Sequence, residues 1–242
     1  MRPAQRAARP RLGAGGRAAI YFVRHGETRW TAQGRYQGGS DIPLAPAGVC
    51  QARRAARSLL RHGVTAVVSS PLRRAVRTSA VIARCLGVGR PAIDRRLHEL
   101  RFGSWEGLTQ REVRARWPEQ LREWKRTPDR FRFPEGETLA RAQARLAAFL
   151  RTLRARRSNR SRPIVVVTHA GIIRLALLAA ADLPLSQFRA FSIEPGGVVR
   201  FNLVAGGVPG ARQRSALRRA GSQHFRSSRF SVDSMEHRER SK

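Results

Sequence analysis

Arg24-His25-Gly26 stands directly behind the apolar run Ala18-Ala19-Ile20-Tyr21-Phe22-Val23. A strand therefore ends by presenting a cation, an imidazole and a glycine side by side. A neutral imidazole is a competent nucleophile at neutral pH, and a guanidinium beside it suits an anionic partner. A second run, Ile164-Val165-Val166-Val167-Thr168, leads into His169-Ala170-Gly171. In open α/β sheets, ligands bind at the carboxyl ends of the strands. Two buried-strand patterns, each delivering a histidine and then a glycine, predict one site assembled from two strand ends.

The elements that must hold such a site alternate along the chain. Residues 18–23, 66–69, 92–93, 164–167 and 198–203 read as strands. Residues 46–61, 71–86, 109–126, 138–157 and 172–181 read as helices. Pro46 opens the first helix, where proline is tolerated, and Gly87 stops the second. In the fourth, Leu139, Ala142, Leu146, Phe149, Leu150 and Leu153 share one face. This alternation predicts an α/β domain with a mainly parallel sheet flanked by helices. It spans residues 18–204, between a basic, disordered leader (1–17) and a basic tail (205–242) too polar to repay the entropy of ordering. The segment 226–231 within that tail is expected to be solvated. No internal repeat is present.

At 242 residues with 41% hydrophobic content, the chain has room for one α/β domain with a sizeable core. No apolar run reaches the ~18 residues of a membrane span, so a soluble protein with no membrane partner is expected. The net charge of +32 invites a nucleic-acid reading. However, all but two of the 48 Lys and Arg residues are arginine, the exceptions being Lys125 and Lys242. Such a bias is that of a GC-rich genome more than of a phosphate-binding surface, and no aromatic strip accompanies it as a single-strand platform would need. Only non-specific, salt-sensitive attachment to polyanions is expected. Cys50 and Cys85 sit in apolar helical patterns, form no metal-type cluster and do not make a disulfide framework. They read as free thiols in a reducing cytoplasm. The leader carries five arginines and no acid. It lacks the apolar core of a secretory signal, although an organelle transit peptide would share its composition.

Further motifs lie between the two histidines, in order: Gly34-Arg35-Tyr36-Gln37-Gly38, Asp41-Ile42-Pro43-Leu44, Ser69-Ser70-Pro71-Leu72-Arg73-Arg74-Ala75 and Leu97-His98-Glu99. With Arg24-His25-Gly26 and Thr168-His169-Ala170-Gly171, the set resembles the histidine phosphatase superfamily, the phosphoglycerate-mutase-like enzymes. The resemblance implies a three-layer α/β/α sandwich and a histidine that becomes phosphorylated. That histidine would be His25, with Arg24 on the phosphoryl oxygens and His169 donating to one of them. Of the adjacent Arg73 and Arg74, the family pattern favours Arg74, immediately before the alanine, as the second phosphate-binding cation. Glu99 matches the family's general acid, with Glu106 its rival. Glu27 is expected to orient Arg24 or a loop amide. Thr31, Gln37 and Gly38 fall where the family lines its phosphate pocket, and Ala170 joins the phosphate-binding set. Thr31 departs from the pattern, since relatives usually carry asparagine there. No cofactor is expected, and no metal is called for, because the remaining His, Asp and Glu residues show no ligand spacing such as His-x-x-x-His.

Phe102-Gly103-Ser104-Trp105-Glu106-Gly107 and Pro134-Glu135-Gly136-Glu137-Thr138 are similar to the phosphatase branch. Within it the resemblance is best to the α-ribazole phosphatases, which implies hydrolysis of a phosphorylated small molecule. Phosphoglycerate mutase activity and a non-catalytic polyanion-binding role on the same fold are the alternatives. Arg111, Arg114, Arg116 and the aromatics Trp117, Trp124, Phe131 and Phe133 lie in the expected lid, either reading a substrate's body or packing the lid helices. Nothing in the sequence fixes the oligomeric state.

Overall fold

The strand Ala19–Arg24 (β1) divides its side chains between two cores, as the two-residue period of a strand requires. Ile20 and Phe22 enter one apolar cluster, whereas Ala19, Tyr21 and Val23 enter another. Ile164–Thr168 (β4) does the same: Ile164 and Val166 face the first cluster, Val165 and Val167 the second. Strands buried on both faces force helices onto both sides of the sheet, and this is the three-layer arrangement found in the computed structural model, which describes residues 19–155, 162–202, 226–227 and 230–231.

Five strands form the sheet in the order β3-β2-β4-β1-β5, with Ala66–Ser69 as β2, Ala92–Ile93 as β3 and Val198–Asn202 as β5. The first four are mutually parallel, and β5 runs antiparallel along β1. Register does the work of assembling the site. Arg24 lies opposite Thr168, and Ser69 opposite Val167. The residues that follow, His25, His169 and Ser70, therefore emerge together at one carboxyl edge.

Pro46–Leu59 (α2) and Arg73–Leu86 (α3) cover one face through Ala52, Ala55, Ala56, Leu59, Ala75, Ile82 and Ala83. Between Arg29–Ala32 (α1) and β4 the chain also supplies Gln110–Arg116 (α4), Pro118–Arg126 (α5) and Leu139–Ala155 (α6). These last three, with Ala170–Ala181 (α7), cover the other face. The aromatics Trp105, Trp124, Phe131 and Phe133 stack among themselves in that second layer, each at most 5% exposed. They pack the lid, as does the partly buried Trp117.

Two expectations need correction. The single helix over 109–126 is two, because Trp117 precedes Pro118, whose ring disfavours helical backbone at the residue before it, and is non-helical (φ −139°, ψ 64°). The helices expected from 71 and 172 begin instead at Arg73 and Ala170, after extended N-cap residues Leu72 and His169. Cys50 and Cys85 are exposed. Each lies two residues from a buried alanine, Ala52 or Ala83, and so on the far side of its helix. The leader 1–17 and most of the tail 205–242 lie outside the described residues. Within the tail, Arg226–Ser227 pairs antiparallel with Phe230–Ser231.

Candidate active site

His25 is held at both ends of its ring. Its backbone N–H continues the sheet onto Thr168 O, and its Nδ1 lies 2.7 Å from Gly26 O. A carbonyl only accepts, so Nδ1 carries the proton and Nε2 keeps the lone pair. Arg74 Nε donates to that Nε2 at 3.3 Å. The ring is 2% exposed. Burial, then the charges of Arg74 and Arg24, push its pKa well below the usual histidine value, so the imidazole is neutral at physiological pH.

Gly26 is a steric requirement. A Cβ there would stand 2.3 Å from Gly48 O, where the start of α2 crosses the β1 loop. Its N–H donates to Thr78 on α3. Glu27 enters through its backbone, its N–H donating to Gln51 and its carbonyl accepting from Ala45, which fastens the same loop to α2. These are contacts of the Glu27 backbone, not of its carboxylate. Arg24 is instead oriented by Ile193, whose carbonyl accepts from Nη1. Arg24 Nε is buried without a hydrogen-bond partner.

Arg74 is fully buried and spreads its guanidinium over the loop 38–40, donating to Ser40 O at 2.6 Å and Gly38 O at 2.8 Å. Burial brings its pKa down to about 10, against the pull of Glu99, Asp41 and Glu106, so it remains charged. Arg73, its neighbour, is exposed and turns away. The loop is braced by Glu106, which accepts from the N–H groups of Gly39, Ser40 and Phe102 and from the Ser40 hydroxyl. A carboxylate so committed is a bracket for the loop. Gly38 has φ +50°, and a Cβ on it would collide with Glu106.

His169 caps α7 in extended conformation. Its ring centroid lies 5.1 Å from that of His25, and its Nε2 is 2.7 Å from Ser70 Oγ. Nδ1 is buried with no hydrogen-bond partner. Complete burial, then the charge of Arg74, pushes this histidine's pKa well below the usual value too. Glu99, 7% exposed, accepts from Leu100 N–H at 2.9 Å and from Gly171 N–H at 3.2 Å. The missing side chain at 171 makes the room, since a Cβ would sit 2.5 Å from Glu99 Oε1. Ala170 occupies the first turn of α7 beside His169. Gln37 is buried and its Oε1 accepts from Thr28.

Thr31 has another use. It forms a capping box with Thr28: its hydroxyl donates to Thr28 O, accepts from Thr28 N–H, and its own N–H donates to Thr28 Oγ1. The single hydroxyl proton is thereby engaged at the start of α1.

The structure thus brings together Arg24, His25, Arg74, Glu99 and His169, with the loop 37–40 beneath them. Sequence reasoning passed over Ser70, Thr78 and Arg174. Arg174 donates to Phe191 O and lies over the Phe188 ring, holding the segment that supplies Ile193 to Arg24. The signal for Ser70 was present in its position just after β2. Among the described residues no group of three or more His, Cys, Asp or Glu could hold a metal ion. A neutral imidazole lone pair among guanidinium groups, near a carboxyl group, is an arrangement for an anion attacked by nitrogen.

Residues 20–212 match the histidine phosphatase superfamily (branch 1). The chain belongs to the histidine phosphatase superfamily. It is 34% identical over 175 residues to phosphoserine phosphatase 1 of Hydrogenobacter thermophilus, covering 72% of this chain and 82% of the relative. It is 32% identical over 192 residues to a 2,3-bisphosphoglycerate-dependent phosphoglycerate mutase of Methylobacterium radiotolerans, covering 77% and 90%. The α-ribazole phosphatase of Shigella flexneri superposes with a TM-score of 0.69 over 77% of this chain and 91% of that one, at 23% identity, a likeness of fold. This histidine phosphatase is a phosphatase by its family and its curated relatives. No helix among the described residues is long and apolar enough to cross a membrane.

Proposed function

We propose that this histidine phosphatase hydrolyses small phosphomonoesters through a phosphohistidine at His25. The observation that carries the reading is the His25 Nδ1–Gly26 O hydrogen bond, which leaves the lone pair on Nε2. Nε2 attacks phosphorus in line, forming the N–P bond as the ester P–O bond breaks. Arg24, Arg74 and the His169 Nδ1–H tautomer hold the equatorial oxygens, and the first-turn N–H at Ala170 adds the favourable end of a helix dipole. Gln37 and Gly38 shape the floor of the pocket. Glu99, acting as general acid, passes a proton to the leaving oxygen and afterwards takes one from the water that cleaves the N–P bond, returning Nε2 to its resting state. Charge neutralisation comes from guanidinium groups, so activity is expected to persist in chelator.

The natural substrate is proposed from relatives. The Hydrogenobacter phosphoserine phosphatase supports a small phosphorylated hydroxy acid. The resemblance of the motifs to the α-ribazole phosphatases supports α-ribazole phosphate, and the 34% identity to the phosphoserine phosphatase favours the hydroxy acid. The Methylobacterium mutase gives the second reading, phosphate transfer on phosphoglycerate. The resemblance implies that glycolytic mutases carry a longer insertion after the acid, with a lysine and paired arginines for the substrate's other end, whereas here the span from Glu99 to α6 is short and holds one lysine, the exposed Lys125, which favours hydrolysis.

The test is phosphate release, in chelator, from phosphoserine, α-ribazole phosphate, phosphoglycerates and p-nitrophenyl phosphate, with a rapid alkaline quench to trap the acid-labile phosphoenzyme. His25→Ala is expected to abolish the trapped phosphate and lower turnover by on the order of 10³-fold or more. Full activity in that variant overturns the mechanism.

A further inference from the structure

Arg145, on α6 and outside the phosphate site, spends three N–H groups of its guanidinium on the segment that carries Glu99 and the other two on Glu137. Nε and Nη2 form a two-pronged ion pair with Glu137, at 2.9 and 3.1 Å. Nη1 donates to the carbonyls of Arg96, at 2.7 Å, and His98, and Nη2 donates to that of Glu99 at 3.1 Å. Five donors meet five acceptors, which is the full capacity of the group. Glu137 closes the ring: its Oε2 accepts from Arg101 N–H, and its own N–H donates to Arg101 O. The pair is 19% and 5% exposed. The segment 96–101 is thus gripped on both sides of Glu99 through the carbonyls of Arg96, His98 and Glu99, the last of which also meets His98 Nδ1 at 2.8 Å. Thr168 adds a further tie, donating from β4 to Leu97 O.

We infer that Arg145, braced by Glu137, is a positioning residue for the general acid: it fixes the peptide of Glu99 so that the carboxyl group stands over the leaving oxygen. This rests on the reading of Glu99 as acid. A planar fork is needed, because an ammonium has three donors and no fixed plane to serve acceptors set around it. A shift of the acid by about 1 Å, with the phosphate clamp untouched, costs roughly 10²-fold in the protonated step.

Leaving-group dependence separates positioning from general damage. Departure of p-nitrophenolate needs little help from an acid, whereas an alkoxide needs a proton, and kcat/KM reports the step in which that bond breaks. Arg145→Lys and Glu137→Gln are therefore assayed on p-nitrophenyl phosphate and on an alkyl phosphate, phosphoserine, beside Glu99→Gln. The expected result is a fall of about 10- to 100-fold in kcat/KM for the alkyl ester and a several-fold smaller fall for the nitrophenyl ester. Glu99→Gln should show the same selectivity in larger degree. Equal losses on both esters in Arg145→Lys, with selectivity intact in Glu99→Gln, overturn the inference alone. Absence of selectivity in Glu99→Gln removes Glu99 as the acid and the inference with it. Should Arg145→Lys melt well below the parent, Glu137→Gln, which keeps the shape but turns one of the two accepting oxygens into a donor, decides by the same ratio.

Discussion

Arg74 Nε donates to His25 Nε2 at 3.3 Å, so the lone pair of that nitrogen lies under a guanidinium. The other two nitrogens of Arg74 are on the carbonyls of Gly38 and Ser40. Arg74 therefore has two jobs: it anchors the pocket loop and, on this reading, moves its Nε from the ring to a phosphoryl oxygen when substrate arrives. Lysine can supply charge but cannot span both carbonyls and the ring. Arg74→Lys should lower kcat/KM by roughly 10²-fold or more. Steady-state kinetics on p-nitrophenyl phosphate check this, and a loss under threefold would remove Arg74 from the clamp.

His25 and His169 are both buried and neutral, with pKa values held well below the usual one. In the unfolded chain each titrates near pH ~6.5. Between the folded values and ~6.5 the unfolded state binds more protons than the folded one. Stability is therefore complete above that window and is lost as pH falls through it, at up to ~1.4 kcal/mol per pH unit for each histidine. Urea unfolding midpoints from pH ~7.5 down to ~5 should decline. His169→Gln should flatten the decline, and a wild-type midpoint that does not move would contradict the assigned neutrality.

Much of the site was legible because it sits where chain direction and register leave no choice. A buried run ending in Arg-His-Gly and another ending in His-Ala-Gly must meet at a sheet edge once the strands pair in parallel, and Arg24 does lie opposite Thr168. Sequence favours Glu99 over Glu106 only through the family pattern around Leu97-His98-Glu99, since residue type alone does not rank two carboxylates. What distinguishes them is how many N–H groups each already serves: Glu106 braces three backbone amides, and Glu99 stands against Gly171. Thr31 enters the pocket set through the family pattern alone, and that pattern does not show the local turn in which its hydroxyl donates to Thr28 O. The Arg145–Glu137 grip joins residues far from Glu99 in sequence, and no local pattern announces it.

Gly171 keeps a side chain's width free beside Glu99. In Gly171→Ala the new Cβ would lie 2.5 Å from Glu99 Oε1 and 3.3 Å from its Cδ. The obstacle is the end of a flexible side chain, so the carboxyl group rather than the backbone gives way. Helix propensity favours alanine over glycine by about 1 kcal/mol inside α7. The variant should melt within a few degrees of the parent while kcat/KM on phosphoserine drops by at least about tenfold. Retained activity would show that Glu99 is not held where catalysis needs it.

Gly26→Ala is expected to fail in the opposite way. Its Cβ would stand 2.3 Å from Gly48 O and 2.7 Å from Gly48 Cα, both backbone atoms at the start of α2. The converse contact is as close, because a Cβ on Gly48 would lie 2.3 Å from Glu27 O. Neither side has a rotamer to turn, so α2 must lift from the β1 loop or the loop must leave α2. The loop is fastened there by Gln51 and Ala45, and the helix by Ala52, Ala55 and Ala56 in the core. Overpacking of this kind costs typically ~1–3 kcal/mol, and here it acts beside the nucleophile. Gly26→Ala should therefore lose both stability, as a lowered urea midpoint, and turnover. A variant with parental stability would mean that α2 approaches the catalytic loop less closely than a glycine–glycine contact.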